Sequence, residues 1–188
     1  MTTWFTADTH FGHENVIRYC ERPFASVQEM DEALIENWNY ITRPKDTIYH
    51  LGDFTLAGKE KANDYFSSLN GKISLIPGGH DKRWIWQGEY RSKSGYSINI
   101  LPALHTIKLS IPDHKQPKLV VLCHYSMRVW DRSHYGSWHL YGHSHGNLPP
   151  LKNSLDIGVD SWDYKPISIE EIYQAVCNLD NVLDRSAD

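Results

Sequence analysis

Two short spacings raise the question of chemistry. Asp8 and His10 stand two residues apart in "DTH", and His143 and His145 repeat that spacing in "GHSH". Between them the chain carries Asp53 after a glycine, His80 and Asp81 after Gly78 and Gly79 in "LIPGGHDKRW", and His124 at the end of "LVVLCH". Each of these side chains can hold a cation or move a proton. Carboxylate oxygen mixed with imidazole nitrogen, without thiolate, suits manganese, iron, nickel or zinc rather than calcium or a cysteine-built structural zinc site. The plain alternative for "PGGH" is a glycine turn and no more, which explains both glycines and leaves the rest of the constellation unexplained.

The elements that must position these groups are legible as alternating patterns. "TWFTADTH" reads as a first strand, "DTIYHLGD" as a second and "KISLIPGGHD" as a third, each ending in one of the polar groups. Side chains two apart on a strand share a face, so Asp8 and His10 point the same way from the end of the first strand. The carboxyl ends of parallel strands are where open α/β sheets build their sites. Between the first two strands, Ser26 and Glu29 form a capping box, and Val27, Met30, Leu34, Trp38 and Ile41 recur at helical spacing. A second helix is expected within "GKEKANDYFSSLNG", stopped by Gly71. Strands alternating with helices imply a parallel core sheet. In the second half, "SINILPALHTIKLSI", the turn-rich "PDHKQP", "KLVVLCH", "WHLYGHSHG" and "SLDIGVD" read as strands with short connections. A final helix is expected near "SIEEIYQAVCNL", followed by a solvated tail, "DNVLDRSAD". The expectation is two packed sheets with helices outside, in a single domain over residues 1–188.

Composition narrows the partners. With 188 residues, 40% of them hydrophobic, the chain can close one sizeable core. A formal net charge of -4 provides no global basic field for a long nucleic acid, so a phosphate-bearing partner must be held locally. Cys20, Cys123 and Cys177 are an odd number with no C-x-x-C spacing, which argues against a disulfide framework and for a reducing, cytoplasmic setting. The first residues lack the basic start of a secretion leader, and no apolar run approaches a membrane span.

Taken in order, "DTH", "GD", "GGHD", "CHY" and "GHSH" resemble the signature of the calcineurin-like metallophosphoesterases, which is D-x-H, G-D, G-N-H-[D/E], a lone His and G-H-x-H. The longer strings "DTHFGHENVIRYC" and "YGHSHG" are similar to a small bacterial and phage branch of that family. The resemblance implies an α/β fold, a four-layer α-β-β-α sandwich of two mixed sheets flanked by helices. It implies two divalent transition metal ions, with Mn2+ first in line and Fe, Ni or Zn as alternatives. Carried over residue by residue, Asp8, His10 and His145 hold the first metal, His124 and His143 the second, and Asp53 bridges them. The implied reaction is hydrolysis of a phosphomonoester or phosphodiester, nucleotides and cyclic nucleotides included, by in-line attack of a metal-bridging hydroxide. His80 then stabilises charge or protonates the leaving oxygen, and Asp81 orients it. One departure stands out. Gly79 occupies the place of the family's asparagine and has no side-chain oxygen, which weakens the second site unless Asn15 or a substrate oxygen fills the position. The alternatives are a binding or scaffold protein on the same fold with a degenerate site, or a nuclease.

Other residues carry weaker signals. His13 opens a helix beside the first motif loop and is a candidate for touching substrate phosphate. Arg18 is a second candidate, and Arg22, Lys82, Arg83 and Arg128 could also neutralise substrate charge, although basic residues are ordinary on surfaces. His50 reads as a buried core or supporting histidine, and His105, His114, His134 and His139 as structural or exposed. Trp84, Trp86 and Trp130 could stack a base, but core packing or a dimer contact explains them more simply. The expected partner is a small phosphorylated substrate, with no long nucleic acid and no membrane, and self-association is left open.

Overall fold

The computed structural model describes residues 1–111 and 116–185. Most of the "PDHKQP" turn, with His114, lies outside them. Five strands build the first sheet: β1 (Thr3–Thr6), β2 (Thr47–His50), β3 (Lys72–Leu75), β4 (Asn99–Ile100) and β9 (Ile167–Ser168), in the order β4-β3-β2-β1-β9. All its pairs are parallel except β1 with β9. The second sheet runs β5 (Leu104–Leu109), β6 (Lys118–Cys123), β7 (Trp138–Tyr141) and β8 (Ser154–Asp156), with only β5 antiparallel to its neighbour. Both sheets are therefore mixed, as expected.

Alternation along each strand assigns its two faces to two cores. On β2, Ile48 packs with the helices α1 (Glu14–Tyr19), α2 (Val27–Ile41) and α3 (Lys59–Ser68), while Tyr49 faces the second sheet and stacks on Phe5. The helix-side core holds Val16, Met30, Leu34, Trp38, Ala62, Phe66 and Trp84. The intersheet core holds Phe5, Leu51, Val120, Leu122 and Leu140, joined by Ile169, Ile172 and Val176 of α4 (Ile169–Arg185). Trp84 is fully buried and donates to the Thr55 carbonyl, and Trp130 is buried against His139, so both serve packing; Trp86 is exposed.

Side-chain capping sets the starts of α2 and α4. Ser26 accepts from the Glu29 amide at 3.2 Å, while the Glu29 carboxylate takes the Ala25 amide at 2.7 Å, one residue earlier than a strict capping box. Ser168 and Glu171 make the reciprocal pair at the head of α4. That helix corrects one expectation. It runs to Arg185 through most of the segment read as a tail, because Leu179 and Leu183 continue the apolar stripe of Ile172 and Val176.

Register decides where the chemistry lies. Thr6, His50 and Leu75 stand level across β1, β2 and β3, and Leu122 stands opposite Leu140 across β6 and β7. The segments carrying Asp8, Asp53, His80, His124 and His143 therefore leave their sheets side by side. Among the described residues, no helix is long and apolar enough to cross a membrane.

Candidate metal centre

The loops after the strands are bound to one another through the main chain. Asp8 N–H donates to the Gly52 carbonyl at 3.0 Å, His10 N–H to Asp53 at 3.0 Å, and Phe11 N–H to Phe54 at 2.9 Å. Two glycines permit this closeness. A Cβ on Gly52, whose φ is +92°, would stand 2.5 Å from the Gly78 nitrogen, and one on Gly78 would stand 2.3 Å from the Asp53 nitrogen. Among the described residues, ten non-glycine positions have positive φ, and five are Asp8, His10, Asp53, His143 and His145. Left-handed backbone costs a non-glycine residue roughly 1–2 kcal/mol, and such strain collects where geometry matters for function.

Side chains from these loops form two groups, and a third, His10, Asp53 and His80, joins them. Asp8, His10 and His145 bring one ligand atom each within 4.8 Å of one another, and Asp53, His124 and His143 do the same. Asp53 Oδ2 lies 3.3 Å from His124 Nε2, 3.8 Å from His10 Nε2 and 3.7 Å from His80 Nε2. Hydrogen bonds elsewhere leave the inward atoms free. His124 Nδ1–H donates to the Leu51 carbonyl at 2.7 Å, so in the neutral ring the lone pair is on Nε2. His143 N–H donates to Asp8 Oδ2 at 2.8 Å, leaving Oδ1. Asp8 Oδ1, His10 Nε2 and His124 Nε2 are all buried without a hydrogen-bond partner. Such atoms are costly to bury unless something binds them. Three bare donors of oxygen and nitrogen type fit divalent cations.

Two placements differ from the expected roles, those of Asp81 and Arg18. Asp81 is buried, but its carboxylate does not hydrogen-bond the His80 ring. Oδ2 accepts the Asp53 and Gly78 amides at 2.8 and 2.9 Å, and Oδ1 accepts the Phe54 and Thr55 amides at 3.0 and 3.4 Å. The aspartate thus ties the β2 loop to the β3 loop, because it opens a short 3-10 turn whose direction carries it inward. His80 instead donates its main-chain N–H to Asp53 Oδ1 at 2.9 Å and keeps a ring 35% exposed at the rim. Arg18 is exposed, its guanidinium 5.2 Å above the Tyr19 ring, and it lines a groove with Glu14, Asn15 and Ser26 that includes none of the clustered ligands. His13 does stand at the centre's edge, its Nδ1 3.5 Å from His10 Nδ1 and its ring 5.6 Å from that of His80.

Sequence reasoning missed Asp160 and misread Arg22. The Arg22 side chain is fully buried and cannot reach solvent or substrate. It grips both oxygens of Asp160 at 2.7 and 2.8 Å and donates to the Asp8 and Thr9 carbonyls at 2.7 and 3.1 Å. Asp160 Oδ2 in turn accepts His145 Nδ1–H at 2.6 Å, which leaves His145 Nε2 for a cation. No spacing in the sequence marks Asp160, since its partners lie 138 and 15 positions away. His50 is buried and neutral: its Nδ1 accepts the Gly52 amide, and its Nε2 faces the Thr9 hydroxyl at 3.0 Å.

Electrostatics follows burial. Burial raises the Asp8 carboxyl to about 7. Burial raises Asp53, yet a protonated His124 beside it, with the His80 amide and His10, holds it well below the usual carboxylate range. Burial alone would lower His145, yet the Asp160 hydrogen bond and nearby groups lift it to about 10. A cation entering the first group therefore displaces protons, and its affinity rises with pH.

The profile of the calcineurin-like phosphoesterases matches residues 1–147. The chain belongs to that family. An uncharacterised protein of Methanocaldococcus jannaschii is 32% identical over 184 residues, covering 92% of this chain and 90% of that one. The Gene 66 protein of Mycobacterium phage L5 is 25% identical, with 93% of each chain covered. A solved protein of unknown function from Aquifex aeolicus superposes with a TM-score of 0.68 at 26% identity, covering 93% of this chain and 98% of that chain. The fold is thus the metallo-dependent phosphatase sandwich, and the family supports metal-dependent phosphoester chemistry at that level of detail.

Proposed function

We propose that this chain hydrolyses small phosphorylated substrates, nucleotides included, with two divalent cations, Mn2+ first among them. Asp8, His10 and His145 hold one, His124 and His143 the other, and Asp53 is shared. The observation that carries the reading is the trio of buried, partnerless atoms, Asp8 Oδ1, His10 Nε2 and His124 Nε2, turned into two groups with Asp53 between them. Divalent cations at such a site lower the pKa of water and neutralise phosphoryl oxygens, which is the main requirement of phosphoester hydrolysis. The chain's own groups supply the rest. His80, partly exposed beside Asp53, would donate a proton to the leaving oxygen. His13, next to it, can hydrogen-bond the phosphoryl group.

The test is hydrolysis of a nitrophenyl phosphate monoester and a bis-nitrophenyl phosphate diester, with Mn2+ and then with chelator, alongside Asp53→Asn. The expected outcome is turnover that needs the cation and is lost, together with binding at both positions, in the variant. Tight Mn2+ binding without turnover of any phosphoester would favour a scaffold protein instead. Full activity in Asp53→Asn would remove Asp53 from the shared position.

A further inference from the structure

The second cation position lacks the oxygen that an asparagine at residue 79 would supply, and the Tyr125 hydroxyl lies beside residue 79. Gly79, unlike Gly78, is not obliged to be glycine. Its φ is not positive, and a Cβ on it would make ordinary contacts, 3.4 Å from the Tyr125 hydroxyl and 3.8 Å from Asp53 Oδ1. A side chain built on that Cβ would begin in contact with the hydroxyl. Tyr125 directly follows His124, and its ring stands edge-on to both histidines of the second group, 4.8 Å from His124 and 4.9 Å from His143. The tyrosine is 44% exposed. Asn15, the other candidate, lies on α1 in the groove with Glu14 and Arg18.

We propose that the Tyr125 hydroxyl is the oxygen ligand that completes the second cation position, and that Gly79 and Tyr125 are a matched pair filling one place. An oxygen donor beside one carboxylate and two imidazoles keeps the ligand set that suits manganese. The proposal rests on the two-cation reading above and adds one ligand to it.

Calorimetric titration of the metal-free chain with Mn2+ tests it, on the wild type, Tyr125→Phe, Gly79→Asn and the double variant, each first shown to melt cooperatively. The wild type should take up two ions in unequal steps. Tyr125→Phe should weaken the weaker step by about tenfold or more, at least the effect of losing a supporting contact to a metal ligand, and leave the tighter step unchanged. Gly79→Asn should gain little in the wild-type background, where the hydroxyl holds the space, and should restore the weaker step in the Tyr125→Phe background. Two unchanged steps in Tyr125→Phe would overturn the proposal, and a fall in turnover with those steps unchanged would reassign Tyr125 to substrate contact. A wild type that takes up a single ion would overturn the two-cation reading, and this proposal with it.

Discussion

At the scale of single residues, the centre works by leaving chosen atoms without partners and by fixing their neighbours. His80 touches Asp53 through its amide and keeps its ring at the rim, so replacing it should spare the cations and harm the proton transfer. His80→Ala should lower turnover by about 10² to 10⁴, most for substrates with poor leaving groups, at unchanged Mn2+ affinity. Equal losses for nitrophenyl and alkyl esters would mean that the ring stabilises charge and does not deliver a proton. Asp160 acts through His145. Asp160→Ala should weaken the first cation step by about 10- to 100-fold and leave the second alone, as read by two-step titration. Because it also strands the buried Arg22, it should cost roughly 3–5 kcal/mol of stability; Asp160→Asn, which can still accept His145 Nδ1–H, should recover part of both. A uniform loss at both cation steps would reduce Asp160 to a general structural part.

At the scale of elements, the site is a set of strand ends tied together. Asp81 binds four amides from two loops, so it holds the relative position of Asp53 and His80 without touching substrate. Asp81→Asn exchanges one acceptor oxygen for a donor and leaves buried amides unmet, at about 1–3 kcal/mol each. Urea unfolding should show that loss, with Mn2+ affinity reduced as well. His50, at the end of β2, makes a pH-dependent contribution. Burial lowers it to about 3, so below pH 6.5 the unfolded chain takes up a proton that the folded chain refuses. Its contribution is complete above pH 6.5 and is lost progressively as pH falls from 6.5 toward 3. In chelator, the wild type should lose more stability between pH 7 and pH 5 than His50→Asn does. Parallel curves for the two proteins would show that His50 already carries a proton when folded.

At the scale of the whole molecule, two cores and one shared edge set the terms. The first sheet buries one face under α1–α3 and the other against the second sheet, which fixes the strand ends in space. That rigidity holds Asp8, His10, Asp53, His143 and His145 in left-handed backbone, a strain that a bound cation would offset. A ligand bound only by the folded state at 100 times its Kd adds about 2.7 kcal/mol, equivalent to about 5 to 10 °C in Tm for a chain of this size. Mn2+ should raise Tm by that much over the chelated protein. The shift should disappear in a combined Asp8→Ala and Asp53→Ala variant; a shift that survived would place the stabilising cation elsewhere.

Local periodicity and spacing were enough to read the main helices, the strands and the candidate ligand residues near their ends. Met30, Leu34 and Trp38 repeat at helical spacing, and "GHSH" repeats a two-residue spacing, whatever the rest of the chain does. Only the tertiary structure decided that Asp160 orients His145, that Arg22 is a buried clamp, that Asp81 turns toward amides and away from His80, and that Tyr125 reaches the space beside Gly79. Each of these depends on the register between strands far apart in the chain and on the direction a loop gives a side chain. Neither leaves a periodic trace in the sequence, since one residue of slip or one change of φ would move the group to another face without altering any motif.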